Sequence, residues 1–265
     1  MPGSEADTNM AASGVVYRAH ALSDTGLRRS RNEDSHGLRV PGHGQKALAV
    51  VADGVGGHPG GDVASRLTVD VILGRTASGL PGQGLRAWLK SAVLAANGAV
   101  REARRHSTHD SMATTVVAML ASGPRMAVAH LGDSRAYRLR GGRLTRLTSD
   151  HTVAQAMFDE GSYNREDLAR SPYHHILTRG VGLEEQPTCP CRQFEARAGD
   201  RYLLCSDGVN GVLPDRAIRR ILAQHAPLEQ VAETLVNQAN AGGGPDNITV
   251  IVVDCEHRER SRTED

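Results

Sequence analysis

The spacing of apolar residues along the chain predicts a mixture of strands and helices. Short apolar runs bounded by glycine or polar residues are typical of strands, and they occur at 14–20, 47–52, 114–120, 126–131, 136–139, 144–147, 202–206 and 248–253. Apolar residues spaced by three and four predict helices at 62–76, 85–105, 215–224 and 228–240. Glycine turns at 132–134 and 141–142 predict an antiparallel meander over 114–147. This order favours an α+β fold with helices packed outside antiparallel sheet.

Three of the predicted strands adjoin an aspartate. These acids are Asp53, Asp207 and Asp246. A carboxylate at the end of a buried strand is costly unless it is paired or binds a metal ion. The neighbouring Gly54 and Gly208 allow close approach of the backbone. We therefore expect the three acids to form one cluster that holds hard divalent cations.

Length and charge narrow the classes of function. No Pro/Ser-rich linker interrupts the 265 residues, so we expect a single domain at 14–254, with a flexible leader at 1–13 and a charged flexible tail at 255–265. The net charge of +1 and the aromatic content of 3% give no basis for binding nucleic acid. No run approaches the roughly 20 apolar residues that span a bilayer, so we expect no membrane insertion.

The four cysteines do not form a metal site of known spacing. Cys189 and Cys191 are separated by one residue, and no second pair with zinc-site spacing follows. We interpret all four as reduced thiols, which fits a chain that works in the cytoplasm.

Five short motifs follow one another along the chain. They are Arg-Ser-Arg-Asn-Glu-Asp at 29–34, Asp-Gly-Val-Gly-Gly-His at 53–58, Gly-Asp-Ser-Arg at 132–135, Ser-Asp-Gly-Val at 206–209 and Gly-Pro-Asp-Asn-Ile-Thr-Val at 244–250. Each motif alone is weak, but the five in this order resemble the bacterial branch of the metal-dependent protein phosphatase 2C family, from about residue 14 to 253. That resemblance implies two stacked antiparallel β-sheets flanked by α-helices on both sides, an α-β-β-α sandwich.

The resemblance also implies two core Mn²⁺ or Mg²⁺ ions. Asp53 is expected to bridge them, the Gly54 carbonyl to bind the second, and Asp207 and Asp246 to hold the first. Two further acids, Glu33 and Asp34, are expected to hydrogen-bond to metal-bound waters. A hydroxide that bridges both metals would then attack phosphorus.

Two further acidic or basic positions follow from the same resemblance. Asp133, together with Asp207, is expected to hold a third, weaker ion, although a turn aspartate that accepts local backbone N–H groups is the alternative. Arg29 occupies the position of the phosphate-binding arginine, and a guanidinium fork matches phosphate oxygens. Arg28 and Arg31 are expected to be solvated.

His58 is the candidate acid for the leaving group, because imidazole titrates near neutrality. The eukaryotic branch of the family has histidine directly after Asp-Gly, whereas this chain has Val55. The alternative is a loop histidine that is hydrogen-bonded near the metals.

The region 155–173 has neither a strict helical nor a strict strand pattern and resembles the flap of the bacterial enzymes. We expect it to influence the access of phosphopeptides. His174 and His175 lie where this flap rejoins the core and could reach the third metal.

No core acid and no phosphate-binding arginine is missing, which favours an active phosphatase for phosphoserine and phosphothreonine on proteins. The alternatives are a non-catalytic phosphoprotein-binding relative and a small-molecule phosphohydrolase. The resemblance implies Ser/Thr-phosphorylated proteins and a cognate Ser/Thr kinase as partners, and a monomer.

Overall fold

The computed structural model describes residues 14–55, 60–107 and 112–258, and its strands form two five-stranded antiparallel sheets. In chain order the strands are β1 Val15–Asp24, β2 Asp34–Arg39, β3 Lys46–Asp53, β4 Val116–Ser122, β5 Arg125–Leu131, β6 Arg135–Arg140, β7 Arg143–Arg146, β8 Cys191–Glu195, β9 Arg201–Cys205 and β10 Ile248–His257. One sheet has the order β1-β10-β9-β6-β7 and the other has the order β2-β3-β4-β5-β8.

The described residues also form seven helices. They are α1 Gly61–Gly74, α2 Leu85–Arg105, α3 Val153–Asp159, α4 Arg165–Arg170, α5 Asp207–Asn210, α6 Asp215–Leu222 and α7 Leu228–Ala241. α1 and α2 pack on the β3 sheet, and α5, α6 and α7 pack on the β10 sheet. The expected α-β-β-α sandwich is therefore confirmed. No helix in the described ranges combines the length and apolar character needed to cross a bilayer.

Strand β3 shows why the apolar runs are continuous rather than alternating. Ala49 and Val51 pack between the two sheets, whereas Leu48 and Val50 pack beneath the helices. Both faces of the strand are thus buried, and each fully buried aliphatic side chain contributes roughly 1.5–3 kcal/mol. A strand buried on both faces holds the acid at its end in a fixed position.

The predicted meander is wrong at the turn 132–134. β5 pairs with β4 and β8, whereas β6 pairs with β7 and β9, so this turn carries the chain from one sheet to the other. Gly132 has φ +103°, and a Cβ there would lie 2.7 Å from the side chain of Thr115. A glycine between two apolar runs gives the same local signal for a hairpin and for a crossing between sheets.

The structure also contains elements that the apolar pattern did not predict. β2 and β8 are edge strands with mostly polar residues, and α3 and α4 lie in the flap that showed no regular pattern. The helices of the flap have 7 and 6 residues, too few to show a helical period.

The tail was predicted to begin at 255, but β10 continues to His257 because its end pairs with β1, Val15 opposite His257. The leader 1–13 and the residues after 258 lie outside the described residues. All four cysteines are buried and free, as predicted.

Candidate metal centre and active site

Asp53 and Asp34 face each other where two strands meet. Asp53 is the last residue of β3, and Asp34, the first residue of β2, is its partner in the antiparallel register. The backbone of Asp53 is fixed by Thr115, whose N–H donates to the Asp53 carbonyl at 2.8 Å and whose Oγ1 accepts from the Asp53 N–H at 3.0 Å. The side chain therefore leaves the sheet edge in a defined direction.

Gly54 lies in a space that no side chain fits. A Cβ at this position would lie 2.5 Å from the Gly61 carbonyl and 2.9 Å from the Glu33 carbonyl oxygen. The Gly54 N–H also donates to the Glu33 carbonyl at 3.2 Å. Helix α1 and the Glu33 loop thus pack directly against the backbone that follows Asp53.

Asp207 and Asp246 are brought together by a second close backbone contact. Asp207 follows β9, and Asp246 precedes β10, the neighbour of β9 in the sheet. A Cβ on Gly208 would collide with the Asn247 carbonyl oxygen, so only glycine allows this approach. Asp207 also lies close enough to Asp53 for its charge to raise the pKa of Asp53. Asp207 and Asp246 thus lie at neighbouring strand ends of one sheet.

Asn247 ties the Arg29–Glu33 loop to this cluster, a role that the sequence analysis missed. Its Oδ1 accepts from the Glu33 N–H at 2.8 Å, and its Nδ2 donates to the carbonyls of Thr25 and Arg31 at 2.8 Å each. Its position next to Asp246 was the one sequence signal for this role. Its hydrogen-bond partners lie more than 200 residues away in the chain, so the sequence does not reveal them.

The acids perturb one another strongly. Burial raises the pKa of Asp34 to about 7, and the charges of Asp207 and Asp246 add to this, against hydrogen bonds from Thr249 and Ser206. Ser206 Oγ donates to Asp34 Oδ2 at 2.7 Å.

Two more acids share this electrostatic environment. Burial, followed by the charges of Asp34 and Asp207, raises the pKa of Asp53 well above its ordinary value. Burial, followed by the charge of Asp246, raises the pKa of Asp207. Carboxylates that repel one another in this way favour a cation between them.

The donor atoms fit divalent cations. Asp34 Oδ1 and Asp207 Oδ1 are buried and have no hydrogen-bond partner among the described residues. Each such atom costs about 1–3 kcal/mol or more unless something binds it. Carboxylate oxygens and a backbone carbonyl are the ligands that Mg²⁺ and Mn²⁺ prefer.

Within 14–55, 60–107 and 112–258, no three acid, histidine or cysteine side chains are already arranged as a metal cage. Asp246 is paired with Arg29 instead, whose Nη2 lies 2.8 Å from Asp246 Oδ2. A cation at Asp246 would displace this guanidinium. Arg28 and Arg31 are exposed, and neither forms an ion pair with another described residue, as expected for solvated side chains.

Asp133 is buried in the turn between the sheets, 7% exposed. Burial, followed by the charges of Asp207 and Asp150, raises its pKa. The turn is held by His151, whose N–H donates to the Gly132 carbonyl at 3.0 Å and whose Nδ1 accepts from the Gly132 N–H at 3.2 Å. The sequence analysis did not single out this histidine.

His151 is kept neutral. Its ring stacks on His130 with centroids 4.6 Å apart, and burial, followed by the charges of His130 and Arg179, lowers its pKa to about 4. A neutral ring can accept the Gly132 N–H at Nδ1. The His151 carbonyl also accepts from the N–H of Thr178, so this residue links the Asp133 turn to the end of the flap.

The remaining predicted histidines have different outcomes. His174 lines the same cavity as Asp133 and Asp207. His175 is exposed, and its ring lies edge-on to that of His174 at 5.2 Å. His58 lies outside the described residues.

Comparison with known proteins agrees with this geometry. The family model described as protein phosphatase 2C matches residues 27–244. The serine/threonine protein phosphatase PstP of Mycobacterium tuberculosis is 40% identical over 257 residues, which are 96% of this chain and 48% of PstP. The chain thus spans about half the length of that relative.

A solved domain of PstP and one further relative match over nearly their whole length. A crystal structure of the PstP catalytic domain with two manganese ions is 40% identical, covers 91% of this chain and 99% of that chain, and has a TM-score of 0.79. The serine/threonine phosphatase stp of Listeria monocytogenes is 31% identical over 92% of this chain and 98% of its own length. The chain therefore belongs to the protein phosphatase 2C family, in its bacterial branch.

Proposed function

We propose that this chain is a Mn²⁺- or Mg²⁺-dependent serine/threonine protein phosphatase. The observation that carries the proposal is the cluster of Asp34, Asp53, Asp207 and Asp246, in which two buried carboxylate oxygens have no partner among the described residues. The two manganese ions of the 40% identical PstP domain support two cations here. The substrates are phosphoserine and phosphothreonine on proteins.

Each acid has a proposed part in holding the cations. Asp53, the Gly54 carbonyl, Asp207 and Asp246 would bind them directly, and Glu33 and Asp34 would hold their waters. When bound, two such ions neutralise phosphoryl charge and supply a water that is acidic enough to be a nucleophile at neutral pH. Asp133 would hold a third, weaker ion.

Arg29 binds the substrate phosphate in this proposal. Among the described residues its guanidinium pairs with Asp246 alone, and the side chain is 39% exposed, so it is free to turn toward a ligand once Asp246 binds a cation. Two parallel N–H···O contacts to phosphate are stronger and more directional than a single contact from lysine. His58 stays the candidate acid that protonates the leaving serine or threonine oxygen.

We also propose the setting in which the enzyme works. The chain acts as a monomer opposite a cognate Ser/Thr kinase, with its phosphatase domain at 14–257. Four free, buried cysteines support a reducing compartment, the cytoplasm.

Hydrolysis of a phosphothreonine peptide by the purified protein tests the proposal. We expect turnover with Mn²⁺ or Mg²⁺, none in excess chelator, and recovery when the metal is restored. A phosphosugar or a nucleotide monophosphate serves as the control and should react far more slowly. Binding of the phosphopeptide without turnover would favour the non-catalytic relative, and a faster reaction of the small molecules would favour the metabolite phosphohydrolase.

A further inference from the structure

A cavity of about 610 Å³ lies directly beside the acid cluster. Asp133, Asp207 and His174 line it. Its remaining wall carries three guanidinium groups, those of Arg135, Arg146 and Arg165. Because the proposed cations would neutralise Asp133 and Asp207, the charge of the cavity is set by this wall.

One carboxylate on the wall serves two of the three arginines. Asp150 receives Arg135 in a two-pronged contact, Nε to Oδ1 at 2.9 Å and Nη2 to Oδ2 at 2.6 Å. Arg146 reaches the same carboxylate only at 3.5 Å, and its other nitrogen lies 3.4 Å from Gln155 Oε1. Asp150 is thus paired mainly with Arg135, and its contact with Arg146 is weak.

Arg165, on the flap helix α4, is less restrained still. It is exposed and forms no ion pair with any residue of the described ranges. Apart from Asp133 and Asp207, the described lining of the cavity therefore carries three arginine charges and one carboxylate, that of Asp150. A protein that leaves two guanidinium groups without a full partner in one cavity has donors ready for an anion.

We propose that this cavity is a subsite for an acidic side chain of the phosphoprotein, aspartate or glutamate, close in sequence to the phosphorylated residue. The proposal rests on the protein phosphatase function above. An extended peptide advances about 3.3 Å per residue, so a residue two or three positions from the phosphate reaches about 7–10 Å along the cavity from the acid cluster. Arg146 and Arg165 are the specificity-determining residues.

Two phosphothreonine peptides that differ in one feature test the subsite. One has glutamate at the three positions on each side of the phosphothreonine, and the other has glutamine, which has nearly the same shape without the charge. With Mn²⁺ at low ionic strength, we expect kcat/KM to be about two- to fivefold higher for the glutamate peptide, the upper part of the range for exposed charge pairs. Added salt should reduce this ratio.

The double variant Arg146→Gln/Arg165→Gln should bring the ratio of the two peptides close to one. The matched control is Arg143→Gln/Arg192→Gln, which removes the same charge from exposed positions that do not line the cavity. Its ratio should stay at the wild-type value. Since each ratio compares two peptides on one enzyme, any general loss of activity cancels.

Two results would overturn the subsite. One is a wild-type ratio of one, and the other is a glutamate preference that the double variant keeps. Failure of the phosphatase function looks different, because neither peptide would then be hydrolysed.

Discussion

Among single residues, Arg29 has the most sharply defined proposed role. In the described part of the chain its guanidinium pairs with Asp246 alone, whereas Arg28 and Arg31 are exposed and form no ion pair there. We predict that Arg29→Ala lowers kcat/KM for a phosphopeptide by about tenfold or more, roughly 1.4 kcal/mol of transition-state binding. Arg28→Ala and Arg31→Ala should change it less than twofold. Steady-state kinetics on the three variants decide this, and equal losses in all three would show a diffuse basic patch instead of a dedicated phosphate ligand.

Asp34 makes the fold sensitive to pH. Its pKa of about 7 in the folded protein lies above the ordinary 3.8, so the folded state binds the proton more tightly. The free energy of unfolding therefore falls as pH rises from about 4 to 7, by on the order of 2–4 kcal/mol. In excess chelator, Asp34→Asn should make this dependence shallower, and the variant should be more stable than wild type at pH 8. Denaturant unfolding at a series of pH values measures it, and an unchanged slope would contradict the raised pKa.

At the residue scale, the acids were predictable because an acid that directly follows or precedes an apolar run is a local pattern. Asn247 and His151 were not, since their roles are contacts to segments far away in the chain. His151 holds Gly132 and the flap, which no sequence period records.

Among the elements, the loop 25–33 depends on Asn247 for its position. Asn247→Ala leaves the Glu33 N–H and the carbonyls of Thr25 and Arg31 without their present partners. We expect a loss of about 1–3 kcal/mol in stability. KM should rise as well, because this loop carries Arg29. Thermal unfolding and phosphopeptide kinetics measure the two effects, and a variant with an unchanged KM would show that the loop is positioned by other contacts. Asn97→Ala, a buried amide whose partners Gly182 and Glu184 lie outside this loop, is the control.

The elements that the sequence predicted are those with an apolar face. β3, β4, β5 and α2 are buried on the core side and show this in their residues. β2 and β8 escaped prediction because edge strands need few apolar residues. The crossing between the sheets at Gly132 was not predicted, because the strands that pair with β5 and β6 depend on packing across the whole molecule.

At the scale of the whole molecule, the two sheets bring together acids from four distant segments of the chain. Asp34 and Asp53 come from one sheet, and Asp207 and Asp246 lie at the strand ends of the other. The stacking of the sheets followed from the family resemblance and not from periodicity, because local patterns do not say which sheet a strand joins. The sandwich has a functional consequence, since neither sheet alone contains the proposed metal centre.

Calorimetric titration with Mn²⁺ tests this account most directly. We predict two tight sites and a weaker third for the wild type, loss of at least one tight site in Asp246→Asn, and loss of only the weak site in Asp133→Ala. Asp133 lies in a turn with fewer acids around it, so its site should fill last. The account would be contradicted if Asp246→Asn bound Mn²⁺ like the wild type, or if Asp133→Ala lost the two tight sites.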